Sequence, residues 1–190
     1  MRLQKLGSIL FALFVFITPT VQAGSITDAA QKAEILADEG KALDAILAMD
    51  VAVQKLWDKV EFNFIDVLFV EKPPGGYGIY EPRTDATYKS GDDMILYMEL
   101  VGYKYRQDGK FFKAELKADM QVKTTDGKVL GAREDFITLN MRSRVPVREF
   151  FGVITYNFDP IPAGNYVLTT KLKDQFGTNW VSVDKEFTIE

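Results

Sequence analysis

The chain contains no His and no Cys, so its candidate acid–base groups are carboxylates. Nucleophilic centres that pair Ser or Cys with His, and zinc sites with imidazole or thiolate ligands, are therefore excluded. Two carboxylates can still act as acid and base where their surroundings separate their pKa values. The candidates for such a pair are Glu81, Asp85, Asp92, Asp93 and Glu99.

Glu99 is the candidate that the sequence places in the driest surroundings, because it alternates with Tyr97 and Val101 in an apolar run. Turns and surface ion pairs explain the other four. A carboxylate-dependent, glycosidase-like hydrolase that uses Glu99 is therefore the alternative function of this chain.

No metal site and no cofactor are predicted. Calcium needs about six to eight oxygen ligands, and the carboxylates at Asp92, Asp93 and Asp126 are too isolated to supply them. The glycines between 75 and 78 match neither a phosphate loop nor a dinucleotide fingerprint. The formal net charge of −4 disfavours nucleic acid as a partner.

The segment EKPPGGYGIYEPR, residues 71–83, places two tyrosines among glycines and prolines between two strand-like runs. Glycine permits backbone conformations closed to other residues, and tyrosine offers a large contact area at small conformational cost. One interpretation is a recognition loop that presents Tyr77 and Tyr80, with Arg83 as its charged anchor. The other is a structural lid, in which both rings fold over the sandwich and Arg83 satisfies backbone carbonyls.

A second aromatic group, Tyr97, Tyr103 and Tyr105, lies on one face of one predicted strand. If that face is uncovered, it offers a surface for a sugar or a partner chain. The binding hypothesis therefore rests on Tyr77, Tyr80, Arg83, Tyr97, Glu99 and Tyr103.

The N-terminus has the pattern of a secretory signal peptide. Arg2 and Lys5 precede an apolar run from Leu6 to Ile17, and Val21 and Ala23 are small residues at the positions that a signal peptidase reads. The run is shorter than the stretch of about 20 apolar residues that a membrane-spanning helix needs. We expect cleavage after Ala23, which predicts a periplasmic or secreted protein with no membrane span in its mature form.

From Ile26 to Val60 the apolar residues follow helical spacing, which predicts two helices. Gly40 lies where a helix end requires a left-handed residue, so the helices form a short antiparallel hairpin. Helices of this length bury too little surface to fold alone, and we expect the hairpin, residues 24–60, to dock on the following domain near Trp57. A small-residue pattern in the second helix resembles the middle of a tetratricopeptide repeat, but stacked repeats need about three units.

After Phe62 the apolar period changes to two, the period of a half-buried strand. The clearest case runs from Phe112 to Val122. Asp108-Gly109 and Asp126-Gly127 are hairpin dipeptides. Seven or eight antiparallel strands without an intervening helix predict two packed sheets.

The stretch IPAGNYVLTTKLKD, followed by a strand that ends in FTIE, resembles the last two strands of immunoglobulin-like extracellular modules. A helical hairpin that ends in Trp, a strand, a GGYGIYEPR loop and a YMELVGY strand together resemble a family of uncharacterised secreted bacterial proteins. The resemblance implies a fold and a compartment but no activity. The expected fold class is α+β: a signal peptide at 1–23, a helical hairpin at 24–60, and an antiparallel immunoglobulin-like β-sandwich of about 7–8 strands at 61–190.

The preferred function is a non-catalytic periplasmic or secreted binding and assembly module. Its partner is expected to be a protein or a glycan of the cell envelope.

Overall fold

The computed structural model describes residues 24–158 and 161–190. The predicted signal peptide lies outside the described residues. Within the described ranges, no helix is long and apolar enough to cross a membrane. The chain divides into two compact units, one ending at Ala52 and the other running from Val53 to Glu190.

The first unit is built from two helices, α1 (Ser25–Asp38) and α2 (Ala42–Trp57), and α2 continues into the second unit. Gly40 adopts a φ of 75° between them, and the N–H of Lys41 donates to the carbonyl of Leu36 at 2.8 Å. The predicted left-handed helix end at Gly40 is confirmed. The buried apolar residues of this unit are small: Ala33, Ala45, Ala48 and Ala52. Whether the hairpin docks on the sandwich stays a prediction.

The described residues of the second unit form nine strands. They are β1 (Asn63–Val70), β2 (Thr87–Tyr88), β3 (Met94–Val101), β4 (Arg106–Asp108), β5 (Phe111–Thr124), β6 (Val129–Ser143), β7 (Phe151–Tyr156), β8 (Gly164–Asp174) and β9 (Trp180–Ile189). The predicted α+β class and the antiparallel sandwich are confirmed. The count exceeds the predicted seven or eight because β2 and β4 are only 2 and 3 residues long, too short to give a period in the sequence.

The smaller sheet has the order β1-β3-β7, and both of its strand pairs are antiparallel. The larger sheet has the order β2-β9-β8-β5, with β6 on the far edge of β5. The β4 strand pairs with the start of β5, on the edge that β8 pairs further along. The single parallel pair among the described strands joins β2 to β9.

The core is formed by the faces of the two sheets that carry fully buried residues. Alternate residues of β3 supply Met94, Leu96, Met98 and Leu100, and the larger sheet supplies Ala114, Leu116, Ala118, Leu168 and Leu172. Because side chains alternate along a strand, the odd-numbered residues of β3 point to the other face of the smaller sheet. That face carries Tyr97 and Glu99.

The turn after β3 fixes the position of Tyr103. Gly102 has a φ of 76°, and a Cβ there would lie 2.5 Å from the carbonyl oxygen of Glu61, so only glycine fits. Beyond the turn, the indole N–H of Trp57 donates to the carbonyl of Tyr103 at 3.2 Å, and the two rings meet edge to face at 5.1 Å. This contact lies within the second unit, which includes the last turn of α2.

Candidate functional site

The segment 71–83 is a closed loop whose two ends pair with each other. The N–H of Glu71 donates to the carbonyl of Glu81 at 2.9 Å, and the N–H of Arg83 donates to the carbonyl of Phe69 at 3.0 Å. At the tip, the N–H of Gly75 donates to the carbonyl of Ile79 at 2.8 Å, and Gly78 has a φ of 67°. These bonds hold the tip in a defined conformation over β3.

The ring of Tyr80 packs on that of Tyr97, with centroids 4.4 Å apart and the planes tilted by 40°. Tyr97 is fully buried; its hydroxyl accepts from the N–H of Gly78 at 2.8 Å and donates to Oε1 of Glu99 at 2.8 Å. Burial, followed by the hydrogen bond to Glu99, holds the pKa of Tyr97 well above its ordinary value, whereas the Gly78 N–H acts in the opposite direction. The loop backbone and the sheet are thus joined through one tyrosine hydroxyl.

Tyr77, the other tyrosine of the loop, lies close enough to Glu99 to feel its charge. Burial, then the charge of Glu99 and a hydrogen bond to it, raise the pKa of the Tyr77 hydroxyl, and Glu149 adds to the effect. Glu99 is only 9% exposed. We call Tyr77, Tyr80, Tyr97 and Glu99 the tyrosine cluster. The Tyr80 hydroxyl donates to Oδ2 of Asp66 at 3.3 Å, so Tyr80, Tyr97 and Glu99 each have a hydrogen-bond partner.

Arg83 lies outside the tyrosine cluster. Its Nη1 donates to Oε2 of Glu71 at 3.2 Å, its Nη2 to the carbonyl of Thr87 at 3.0 Å, and its Nε to the carbonyl of Asp85 at 3.2 Å. The guanidinium also lies 4.5 Å from the ring centroid of Tyr88. These contacts attach the end of the loop to β2 and to Asp85 just before it.

Tyr103 also lies outside the tyrosine cluster. It is fully buried, and its hydroxyl donates to the carbonyl of Val147 at 2.6 Å. Its ring contacts Trp57, Tyr105 and Phe150. Of the six residues in the binding hypothesis, the structure brings together Tyr77, Tyr80, Tyr97 and Glu99, and it places Arg83 and Tyr103 elsewhere.

A carboxylate pair exists beside the tyrosine cluster, because Asp66 on β1 is directly opposite Glu99 on β3. Opposed residues in an antiparallel pair have Cβ atoms about 4.5–5.5 Å apart and share a face of the sheet. Hydrolysis would also need a substrate to reach both carboxylates. Glu99 is only 9% exposed, and Tyr97, which binds it, is in turn bound by the N–H of Gly78 in the loop, so the loop would have to leave before a substrate could enter.

The remaining candidate carboxylates make local contacts. Oδ2 of Asp92 accepts from the N–H of Lys89 at 2.9 Å, and Oδ1 of Asp93 accepts from the side chain of Asn157 at 2.7 Å. Glu81 pairs with Lys72 at 2.8 Å. Within the described residues, no group of three or more acidic side chains is arranged to hold a metal ion.

The helical hairpin is a second candidate surface. Many of its larger apolar side chains are exposed, although Trp57 is buried, and the most exposed are Leu43, Ile46, Leu47 and Ile35. Two grooves run along it. The first, of about 460 Å³, has alanines at its base and Ile46 and Met49 at its side, and the second, of about 400 Å³, is lined by Leu36, Leu47 and Val51 among others. The sequence analysis expected the apolar face of the hairpin to dock on the sandwich, but helical spacing alone cannot tell which apolar side chains are covered.

A third candidate surface consists of arginines on the strands that flank the start of β5. The sequence analysis did not predict it. It depends on strand register, which brings Arg106 and Arg142 to the two sides of Lys113.

No protein-family model and no curated protein sequence matches the chain. Among solved structures it is similar to the C-terminal domain of Wzt, at 14% identity over 68% of this chain and 73% of that one, with a TM-score of 0.36. It is similar to CopC from Methylosinus trichosporium OB3b, at 11% identity over 68% of this chain and 94% of that one, with a TM-score of 0.33. The sporulation control protein Spo0M from Bacillus subtilis matches at 14% identity over 69% of this chain and 50% of that one, with a TM-score of 0.35. Similarities at this level assign no function, so the side chains must supply the argument.

Proposed function

We propose that this protein is a non-catalytic binding and assembly module of the cell envelope that captures a partner protein through its helical hairpin. The observation that carries the proposal is the exposure of large apolar side chains on both helices. Leu43 is 71% exposed, Ile46 67%, and Leu47 and Ile35 59% each.

Exposed apolar side chains on this scale favour association. Fully burying a side chain of this size contributes about 1.5–3 kcal/mol, and contiguous exposed apolar surface commonly marks an interaction site. The alanines at the base of the larger groove, Ala30, Ala33, Ala37 and Ala45, leave room for a partner helix to approach closely. Laying an amphipathic helix into an apolar groove is a recurrent mode of protein recognition.

The tyrosine cluster is less suited to capture. Its hydroxyls and its carboxylate are already hydrogen-bonded within the chain, and a partner would have to replace those bonds at a cost. The same contacts argue against the hydrolase alternative, because Glu99 is covered and a substrate could reach it only after the loop had moved. The expected signal peptide is the basis for placing the partner in the cell envelope.

The test uses three glutamate substitutions on α2. Ile46→Glu and Leu47→Glu each place a charge in one of the two grooves, whereas Leu43→Glu introduces the same charge at an exposed apolar position that lines neither groove. The mature chain carrying each substitution is immobilised, proteins of an envelope extract are captured, and melting temperatures are measured in parallel.

We expect Ile46→Glu or Leu47→Glu to abolish capture of a specific protein without changing the melting temperature, and Leu43→Glu to retain capture. A marked fall in the melting temperature with the groove substitutions would instead mean that the hairpin packs against the sandwich of its own chain. Capture that survives both groove substitutions would also refute the proposal.

A further inference from the structure

Three positively charged residues lie in a row across three strands of the larger sheet. Arg106 on β4 is directly opposite Lys113 on β5, and Lys113 is directly opposite Arg142 on β6. Directly opposed residues share a face, and neighbouring strands are about 4.8 Å apart. Arg144, two residues beyond Arg142, extends the same face. We call Arg106, Lys113, Arg142 and Arg144 the cationic row.

Like charges directly opposite each other destabilise a sheet, so the cationic row has an energetic cost. The carboxylates nearby are fewer than the cations: Asp108 forms an ion pair with Lys113, and Glu115 follows on the same face of β5. Lys113 first, and Arg142 and Arg106 further away, hold the pKa of the Asp108 carboxyl below its ordinary value. The surroundings of this carboxylate are therefore positive, although the whole chain carries a net charge of −4.

The arginines rest on aromatic rings. The guanidinium carbon of Arg142 lies 3.2 Å from the ring centroid of Phe111, that of Arg144 lies 5.3 Å from it, and that of Arg106 lies 4.3 Å from the centroid of Phe176. In the described part of the chain, none of the three has a carboxylate within salt-bridge distance. A guanidinium on a ring face is held in place and keeps the N–H donors at its edge for a planar anion.

Three lysines on the same sheet face differ from the cationic row. Lys117 pairs with Asp135 at 3.0 Å, Lys123 with Asp184 at 3.2 Å, and Lys173 with Asp119 at 2.8 Å. These lysines are neutralised by the fold itself. The arginines of the cationic row have no such carboxylate partner. Their arrangement is therefore suited to binding an anion from solution.

We propose that the cationic row binds an acidic polysaccharide through the carboxylates of its uronic acid residues. Arg106 and Arg142 lie on either side of Lys113, so they can bind two carboxylates of an extended chain lying across the strands. Each guanidinium matches a carboxylate with two parallel N–H donors.

The charge of the remaining surface favours this ligand over other polyanions. Nucleic acid carries a dense line of phosphates, which the net negative charge of the chain would repel. An anionic bilayer is flat and would also face Asp119, Asp184 and Glu186, since they share this face with the cationic row. A sugar polymer with one carboxylate per ring is sparse and narrow enough to contact the row alone. This site is separate from the hairpin, so neither proposal depends on the other.

The experiment measures retention of the purified mature chain in native gels that contain polygalacturonate, with dextran as the neutral polymer. The site variant is the double substitution Arg106→Gln and Arg142→Gln. The matched control is Lys117→Gln with Lys123→Gln, which removes two charges from the same face at positions that have carboxylate partners. Circular dichroism checks that both variants are folded.

We expect polygalacturonate, but not dextran, to retain the native chain, and the apparent Kd to rise at least about tenfold in the site variant, the loss of one charge-assisted hydrogen bond. The control should bind as the native chain does. Three results would overturn the proposal: no retention of the native chain, equal weakening in both variants, or tighter binding to double-stranded DNA or to phosphatidylglycerol vesicles than to polygalacturonate.

Discussion

The tyrosine cluster and the cationic row both combine charged groups with aromatic rings on the sandwich, but they differ in how their polar groups are satisfied. In the tyrosine cluster the hydroxyls of Tyr80 and Tyr97 donate to Asp66 and Glu99. In the cationic row three arginines lie on Phe111 and Phe176 instead of carboxylates. The first arrangement is complete within the chain, and the second leaves donors available.

This difference separates structural clusters from candidate binding sites more sharply than residue type does. Tyrosines beside a carboxylate are common in both kinds of site. A buried polar group that has its partner stabilises the fold, whereas surplus exposed donors contribute little until a ligand supplies the acceptor. Substitutions in the tyrosine cluster should therefore change stability, and substitutions in the cationic row should change binding.

The largest expected effect is that of Tyr97→Ala. Tyr97 is fully buried, contacts the rings of Tyr80 and Phe151, and binds the loop backbone, so its truncation should lower the free energy of unfolding by about 3–5 kcal/mol. Denaturant unfolding measures the change. Arg142→Ala is the control from the cationic row and should stay within about 1 kcal/mol of the native chain, because it loses only an exposed cation–π contact. Equal losses at both positions would remove the distinction.

The free energy of unfolding should fall at high pH, because the hydroxyls of buried tyrosines ionise. Burial raises the pKa of Tyr88 to about 12 from 10.0, and burial also holds the pKa of Tyr97 and Tyr103 above that ordinary value. The unfolded chain therefore loses these protons first, so stability is fully present below about pH 10 and falls as pH rises towards about 12. Tyr88 alone accounts for about 2–3 kcal/mol at about 1.4 kcal/mol for each pKa unit.

The check on this pH dependence is a series of denaturant unfolding curves between about pH 9 and pH 12. Arginines keep their charge over that range, so the three arginines of the cationic row do not contribute to the change in the free energy of unfolding. The drop should become smaller in Tyr88→Phe, which cannot ionise. A free energy of unfolding that stays constant up to pH 12 would contradict the raised pKa values.

The sequence predicted the elements of the fold well where side-chain alternation is strong. The run from Phe112 to Val122 lies within β5, and the left-handed position of Gly40 was expected from its place between two helical patterns. The tyrosine cluster was foreseen in part, because Tyr97 and Glu99 were assigned to one strand face. That the loop would lie on this face could not be foreseen, since loop direction depends on tertiary contacts.

The cationic row shows why register limits sequence-based prediction. Arg106, Lys113 and Arg142 are distant in sequence and follow no common period. They meet only because β4 and β6 pair with β5 at particular positions, and β6 contains an irregularity at Asp135, which has a φ of 49°. The same limit applies to the hairpin, where the spacing of Ile46 and Leu47 predicts a helix but not which of its faces is covered.

The Tyr88 hydroxyl differs from the buried hydroxyls of Tyr97 and Tyr103, which have hydrogen-bond partners. Tyr88 is 3% exposed, and its hydroxyl has no hydrogen-bond partner among the described residues. Tyr88→Phe removes that hydroxyl and keeps the ring beneath Arg83 and against Phe69. We expect the free energy of unfolding to rise by about 1 kcal/mol, the lower end of the cost of an unsatisfied buried group.

Tyr103→Phe is the matched control for Tyr88→Phe, because the Tyr103 hydroxyl has an acceptor in the carbonyl of Val147 at 2.6 Å. The same chemical change should therefore lower stability at Tyr103 and raise it at Tyr88. Thermal unfolding of the two variants side by side measures both signs. A loss of stability at both positions would show that the Tyr88 hydroxyl has a partner, such as a bound water molecule.

The smallest effect is expected for the loop hydroxyls, and it decides between the lid and the recognition loop. Tyr77→Phe removes a hydroxyl whose pKa is raised by burial and by nearby Glu99, and Tyr80→Phe removes one that binds Asp66 at the surface. If the loop is a lid, Tyr77→Phe should lower the melting temperature slightly and Tyr80→Phe hardly at all, because exposed polar contacts contribute little. Capture of the partner protein should be unchanged in both, since the hairpin is the proposed binding surface. If the loop recognises the partner, the pattern reverses: capture weakens when either hydroxyl is removed while the melting temperatures stay at the native value.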